Sequence, residues 1–261
     1  MTAPHSIHET LKAASSFVGN YAAVLYSRGS TTARIEQGIC RIAEAWNMHA
    51  EFSILPTDVV ISLWDEGREH SYSTIVKVPE GAINYQSVTE LTRLSFRIAD
   101  RHMSVEDAQA MMDRILTMKR IDRWTVLVLA GAANASFCRL FGGDHISMAI
   151  VFAATVCGFF MKQKLSSAGL DYRAVTLISA CVAAVISSSG FVFGWGGTPE
   201  TALGTSVLFL VPGIPFSNSI DDLLHGRYIC SLSRFLQAMM ITVSLSLGLC
   251  LAFFILNIKF Y

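Results

Sequence analysis

The residues from Leu210 to Arg227, LVPGIPFSNSIDDLLHGR, hold the densest chemistry in this chain. An apolar run enters Pro212-Gly213, passes Pro215 and turns polar through Ser217, Asn218, Ser219, Asp221 and Asp222. Proline has no N–H and its ring clashes with the preceding turn, and glycine adds freedom, so a helix entering this point should break. A broken helix at membrane depth must be buried by protein or line a watery cavity. Its freed carbonyls and N–H groups then carry the partial charge that binds a small polar solute. A plain kink that ends in a solvated loop is the competing reading, and the residues alone leave both open.

Other candidates are sparser. Asn134 is an amide inside an apolar run, and an amide has four hydrogen bonds to satisfy. Ser187-Ser188-Ser189, Thr155, Thr205 and Ser206 sit in similar runs, where a back-bond to the same helix explains a hydroxyl equally well. Near the other end, Pro56-Thr57-Asp58 falls between two strand-like stretches, as a loop offering a hydroxyl beside a carboxylate or as a simple Asx-type turn. Arg34 and Glu36 open a helix, where a solvated face accounts for them as well as a contact role. No GxGxxG, Walker loop, GxSxG or HExxH is present, so nothing points to catalysis or to a cofactor or metal. The six cysteines are scattered without a CxxC pair, as small apolar residues would be.

Two very different halves must position these groups. Net charge is zero, yet residues 1–123 hold 28 of the charged side chains and residues 124–261 only 12. The stretches 124–138, 145–161, 174–199, 201–220 and 235–258 contain no Asp, Glu, Lys or Arg. A bilayer core takes roughly 20 apolar residues per helix. The pattern predicts five spans, near 122–141, 145–163, 173–194, 201–218 and 232–257. The start of the chain lacks a basic region followed by an apolar run, so the first half is expected to remain cytosolic. With that orientation Lys119, Arg120, Arg123, Lys162, Lys164, Arg173, Arg227 and Arg234 flank the inner side, against Arg139 and Lys259 outside, as the positive-inside rule requires. The C-terminus is then outside.

The first half reads as helix, helix, three strands, helix, helix, an α+β domain over residues 1–120, with the transmembrane domain over 121–261. Ser6-x-x-Glu9, Ser87-x-x-Glu90 and Ser104-x-x-Asp107 look like capping boxes, and Thr31 or Thr32 is placed to cap the second helix. Ile35, Ile39, Ile42 and Trp46 keep helical spacing. Phe52 and Ile54, then Val59, Ile61 and Leu63, then Tyr72, Thr74 and Val76 alternate as strands do.

Taken in order, Pro56-Thr57-Asp58, Phe137-Cys138-Arg139-Leu140, Gly142-Gly143-Asp144, Leu210-Val211-Pro212-Gly213 and Asp222 to Gly226 resemble the threonine/serine exporter family. More closely, the chain resembles the larger subunit of its split, two-component form, the YjjP-like proteins. The resemblance implies a multi-pass protein of the bacterial inner membrane. It also implies export of small polar metabolites, either hydroxy amino acids or dicarboxylates such as succinate. Fused members carry a second membrane half with its own Pro-Gly break, so a small multi-pass partner subunit is implied here. Asn134, Asp144, Pro212, Gly213, Ser217, Asn218, Asp221 and Asp222 are then the candidate path residues by position and chemistry. Arg34, Thr57 and Asp58 are candidates for gating or contact by the soluble part. A membrane-anchored sensor or assembly factor whose soluble domain binds a ligand is the alternative from another class.

Overall fold

The computed structural model describes residues 4–118 and 121–257, with side chains from Ile7 onward. Lys119, Arg120 and Lys259, three of the charges used to orient the chain, lie outside the described residues. The chain divides into two units, Met1–Lys119 with Ile214–Phe235, and Arg120–Gly213 with Leu236–Tyr261.

The first unit begins with α1 (Pro4–Ser27) and α2 (Thr32–Ala45). Next come β1 (His49–Ile54), β2 (Asp58–Trp64) and β3 (Ser71–Lys77), then α3 (Tyr85–Arg101) and α4 (Val105–Leu116). The strands form one antiparallel sheet in the order β1-β2-β3, with Phe52 opposite Ile61 and Ile61 opposite Thr74. Val59, Ile61 and Leu63 face inward from β2 and are fully buried, in one core with Phe17, Tyr21 and Leu25 of α1 and Ile35, Ile39 and Ile42 of α2. Burying each such side chain contributes roughly 1.5–3 kcal/mol, which makes this the stabilising core of the unit. Gly38 of α2 meets α1 closely: a Cβ there would come within 2.9 Å of the Tyr21 ring. Only glycine lets the two helices approach that far.

Helix starts deviate from the expected caps in physically ordinary ways. Helix α1 already runs from Pro4, so Ser6 lies in its first turn instead of capping it. Helix α3 opens at Tyr85, because Asn84, as good a cap as serine and three residues before the expected cap Ser87, accepts the Ser87 N–H. Ser104 does cap α4, accepting the Asp107 N–H at 3.2 Å. Thr31 holds the N-cap position of α2 without a side-chain cap bond. Thr32 spends its hydroxyl elsewhere, on Asp222.

This unit also takes α10 (Gly213–Leu224) and the first turns of α11 (Tyr228–Leu256). The sequence pattern places these residues in the transmembrane part, 121–261. The two helices are stitched at Ser219 and Ser231, whose hydroxyls donate to each other's carbonyls at 2.9 and 2.8 Å.

The second unit is helical: α5 (Arg123–Leu140), α6 (His145–Ser167), α7 (Tyr172–Ser187), the short α8 (Ser189–Phe193), α9 (Pro199–Ser206) and the rest of α11. Small residues allow close packing, as association within lipid requires. Gly158 of α6 sits where a Cβ would lie 3.0 Å from Ala183 of α7. Helix α6, the run Tyr172–Phe193 and α11 are long and apolar enough to cross a membrane, and the broken pair Pro199–Leu210 and Gly213–Leu224 makes a fourth if counted as one span. Helix α5 is not among them; it carries Arg123, Asn134 and Arg139 within its 18 residues.

Candidate functional site

The break at Pro212 is built as its sequence dictates. A single 3-10 turn, Leu208–Leu210, ends the incoming helix, Val211 is extended (φ −61°, ψ 126°), and α10 starts at Gly213. Pro215 falls in the first turn of α10, where its missing N–H costs nothing. Pro212 is buried and Gly213 exposed, with open space where a Cβ would stand.

Beyond the break the polar residues separate by helix face. Asn218 and Asp222, four apart, point into the first unit, and Ser217 is exposed. Asn218 donates to the Gly29 carbonyl at 2.8 Å, just past the end of α1. Asp222 is 0 % exposed and accepts from both the N–H (3.2 Å) and the hydroxyl (2.5 Å) of Thr32. Its other oxygen faces Arg234 Nε at 3.3 Å, an ion pair in which the Arg234 side chain is itself only 8 % exposed. Arg234 also donates to the Ser30 carbonyl at 2.8 Å and lies 4.5 Å over the Tyr26 ring. Burial pushes the Tyr26 phenol up to about 12 despite that neighbouring cation.

Geometry here has a defect that matters. Asp222 Oδ2 and Arg234 Nη1 are buried without a hydrogen bond. A buried pair that leaves polar atoms unsatisfied recovers its desolvation cost poorly. At the same face Arg227 pairs with Glu36, and the Cys230 thiol donates to the Ile54 carbonyl at 3.2 Å. Asp221 points the other way and is half-buried, with His225 Nδ1 3.7 Å from its carboxylate and 2.8 Å from its carbonyl. The two adjacent aspartates therefore do different jobs. Asp222 is locked in the protein and Asp221 meets solvent.

The other sequence candidates have hydrogen-bond partners or surroundings of their own. Thr57 donates to Asp58 Oδ2 at 2.8 Å, and Leu55 N–H bonds the Asp58 carbonyl, so Pro56-Thr57-Asp58 is a self-bonded turn joining β1 to β2. Arg34 is exposed on α2. In the second unit, buried Asn134 donates to the Thr155 hydroxyl at 3.0 Å, tying α5 to α6. Ser179 and Ser187 on α7 are buried with no hydrogen-bond partner.

Asp144 caps α6 and organises a turn. It accepts from Ser147 N–H (2.7 Å) and Gly197 N–H (2.6 Å), and Thr198 Oγ1 lies between its carboxylate and its own N–H. Gly196 adopts φ +82° above it, where a Cβ would press on the carboxylate at 3.0 Å. Hydrogen bonding from the Ser147 side chain, then the Gly197 and Ser147 N–H groups, lowers its pKa to about 2. A depressed carboxylate pKa stabilises the fold above the ordinary value near 4, and that contribution is lost only as pH falls towards 2.

Sequence reasoning missed Thr32, Ser30, Tyr26 and Glu36 as partners of this segment and placed Arg227 and Arg234 only as membrane-flanking charges. One signal was available. A carboxylate in a charge-poor stretch needs a cation, and these two arginines are the nearest in sequence.

A chain built of apolar spans, a broken helix and buried polar clusters has the makings of a membrane transporter, and comparison with known proteins agrees. The family model described as "Putative threonine/serine exporter" matches residues 16–256, and the chain belongs to that family. It is 26% identical over 238 residues to the "Probable succinate transporter subunit YjjP" of Escherichia coli K12, covering 90% of this chain and 91% of that one. The protein of the same name from Klebsiella aerogenes is 25% identical over 232 residues, covering 88% and 89%. A "Probable threonine/serine exporter" of Mycobacterium tuberculosis is 24% identical over 234 residues, 87% of this chain but 43% of its own length. No solved structure matches.

Proposed function

We propose that this chain is one subunit of a secondary exporter of small polar metabolites, hydroxy amino acids such as threonine and serine or dicarboxylates such as succinate, and that a small multi-pass membrane protein supplies the other half. The observation that carries this is the contrast in coverage. The chain aligns along about nine-tenths of proteins named as a subunit, and along less than half of a protein named as an exporter. One Pro-Gly break supports the same reading, since alternating access is usually built from two related halves. The chain acts by binding and moving a solute, not by bond chemistry.

Five spans in the bacterial inner membrane, with residues 1–120 cytosolic and the C-terminus outside, complete the proposal. α5 is the fifth span, with Arg123 and Arg139 at its two ends reaching the interfaces. Orientation is checked by labelling a Gly67→Cys variant in intact cells with an impermeant thiol reagent. No labelling until the cells are opened is expected, and labelling from outside overturns the topology. Gly67 suits the test because it is exposed in the β2–β3 loop.

Substrate class is tested by metabolite profiling of cells lacking the gene, with and without the chain restored. Threonine, serine or a C4 dicarboxylate should accumulate inside several-fold and fall on restoration. An unchanged profile with altered expression of other genes favours the sensor reading instead.

A further inference from the structure

The N-terminal end of α5 and the last two turns of α6 enclose a cleft of about 250 Å³ lined by Asp122, Arg123, Trp124, Phe160, Gln163, Lys164 and Ser167. We propose that it holds the headgroup of an anionic phospholipid, with the lipid phosphate between Arg123 and Lys164.

Depth is the first argument. α6 has 23 residues, so at 1.5 Å per residue it is roughly 34 Å long and overruns a hydrocarbon core of about 30 Å. Its final turns therefore emerge at headgroup level, where the cleft lies. The aromatic residues agree. Trp124 is 66 % exposed and stacks on Phe160 with centroids 6.1 Å apart and planes at 22°. An exposed indole on an apolar neighbour belongs at the membrane interface, here as a wall for the first acyl carbons.

Charge is the second argument. Two cations and one anion line the cleft. The anion is already engaged: Asp122 Oδ2 accepts the Trp124 and Thr125 N–H groups at 3.0 and 3.4 Å, turning its charge towards the start of α5. Lys164 Nζ is 5.9 Å over the Phe160 ring, and no ion pair among the described residues uses Arg123 or Lys164. Gln163 donates to the Arg123 carbonyl at 3.5 Å, holding the two helix ends together. Ser167 lies at the rim and donates its hydroxyl to the Lys164 carbonyl at 2.8 Å, so the charge on the two basic side chains carries the site. A guanidinium and an ammonium lining one cleft from two helices suit a phosphodiester that arrives from the bilayer side. The proposal needs α6 to cross the membrane and does not depend on what the protein exports.

The test is native mass spectrometry of the full chain titrated with dioleoyl phosphatidylglycerol or dioleoyl phosphatidylcholine, each with and without inorganic phosphate. Wild-type protein should prefer phosphatidylglycerol, and the preference should fall as salt rises. A basic residue near an anionic surface is worth about fivefold in affinity, so Arg123→Gln with Lys164→Gln should weaken phosphatidylglycerol about twenty- to thirtyfold. Trp124→Ala should weaken both lipids alike. Equal binding of the two lipids, or a preference that persists in the double variant, overturns the site. So does full competition by millimolar inorganic phosphate, which would make it a free-anion site. If the double variant does not fold, a salt-independent preference in the wild type overturns the proposal by itself.

Discussion

Asp222 and Arg234 decide how the segment after the break is read at the scale of single residues. A carboxylate with no exposed surface, bonded twice to Thr32 and paired with a buried arginine, is committed to holding α10 and the first turns of α11 on the α1–α2 junction. Removing one partner strands the other in the interior, which typically costs about 3–5 kcal/mol. Asp222→Ala should therefore lower the melting temperature of detergent-purified protein sharply. Pairing it with Arg234→Met should recover much of the loss, since replacing both members of a buried pair by apolar groups is often neutral. An Asp222→Ala variant that melts like the wild type but does not transport would assign the carboxylate to the solute path instead. Asp221 and Ser217, which reach solvent, are the better candidates for that path.

Elements were legible where a period or a breaker controls them. The stripe Ile35, Ile39, Ile42 is buried in α2, and the alternation Val59, Ile61, Leu63 is buried in β2. Burial is set by each element's own repeat, which the chain displays. Ser87 misleads because a capping pattern is short and a neighbouring residue can take the role, as Asn84 does. The partners of Asp222 were invisible for a different reason. Thr32 lies 190 residues away, and no local rule joins the two. The Pro212-Gly213 break was the clearest local signal, and its effect is testable at this scale. Gly213 has room for a Cβ, so Pro212→Ala with Gly213→Ala adds no clash there and restores helix propensity by roughly 3 plus 1 kcal/mol. Insertion and partner binding should persist while export falls at least tenfold. Wild-type export would reduce the break to a kink.

At the scale of the whole molecule, the family fixes the class and the halves of the chain explain why a partner is expected. Charge-rich residues 1–123 build a helix-and-sheet core, whereas the second unit relies on small residues and buried hydroxyls to pack helices that lipid cannot drive together. Neither unit supplies a second Pro-Gly break among the described residues. The central claim is that this chain exports only as part of a pair. Its most direct test is uptake of radiolabelled serine, threonine and succinate into sealed proteoliposomes holding this chain, the small partner subunit, or both, under an imposed ion gradient. Both together should transport one of the three at least tenfold above either alone, and the double alanine variant at the break should return that rate to background. Full transport by this chain alone, or none by the assembled pair for any of the three, would contradict the account.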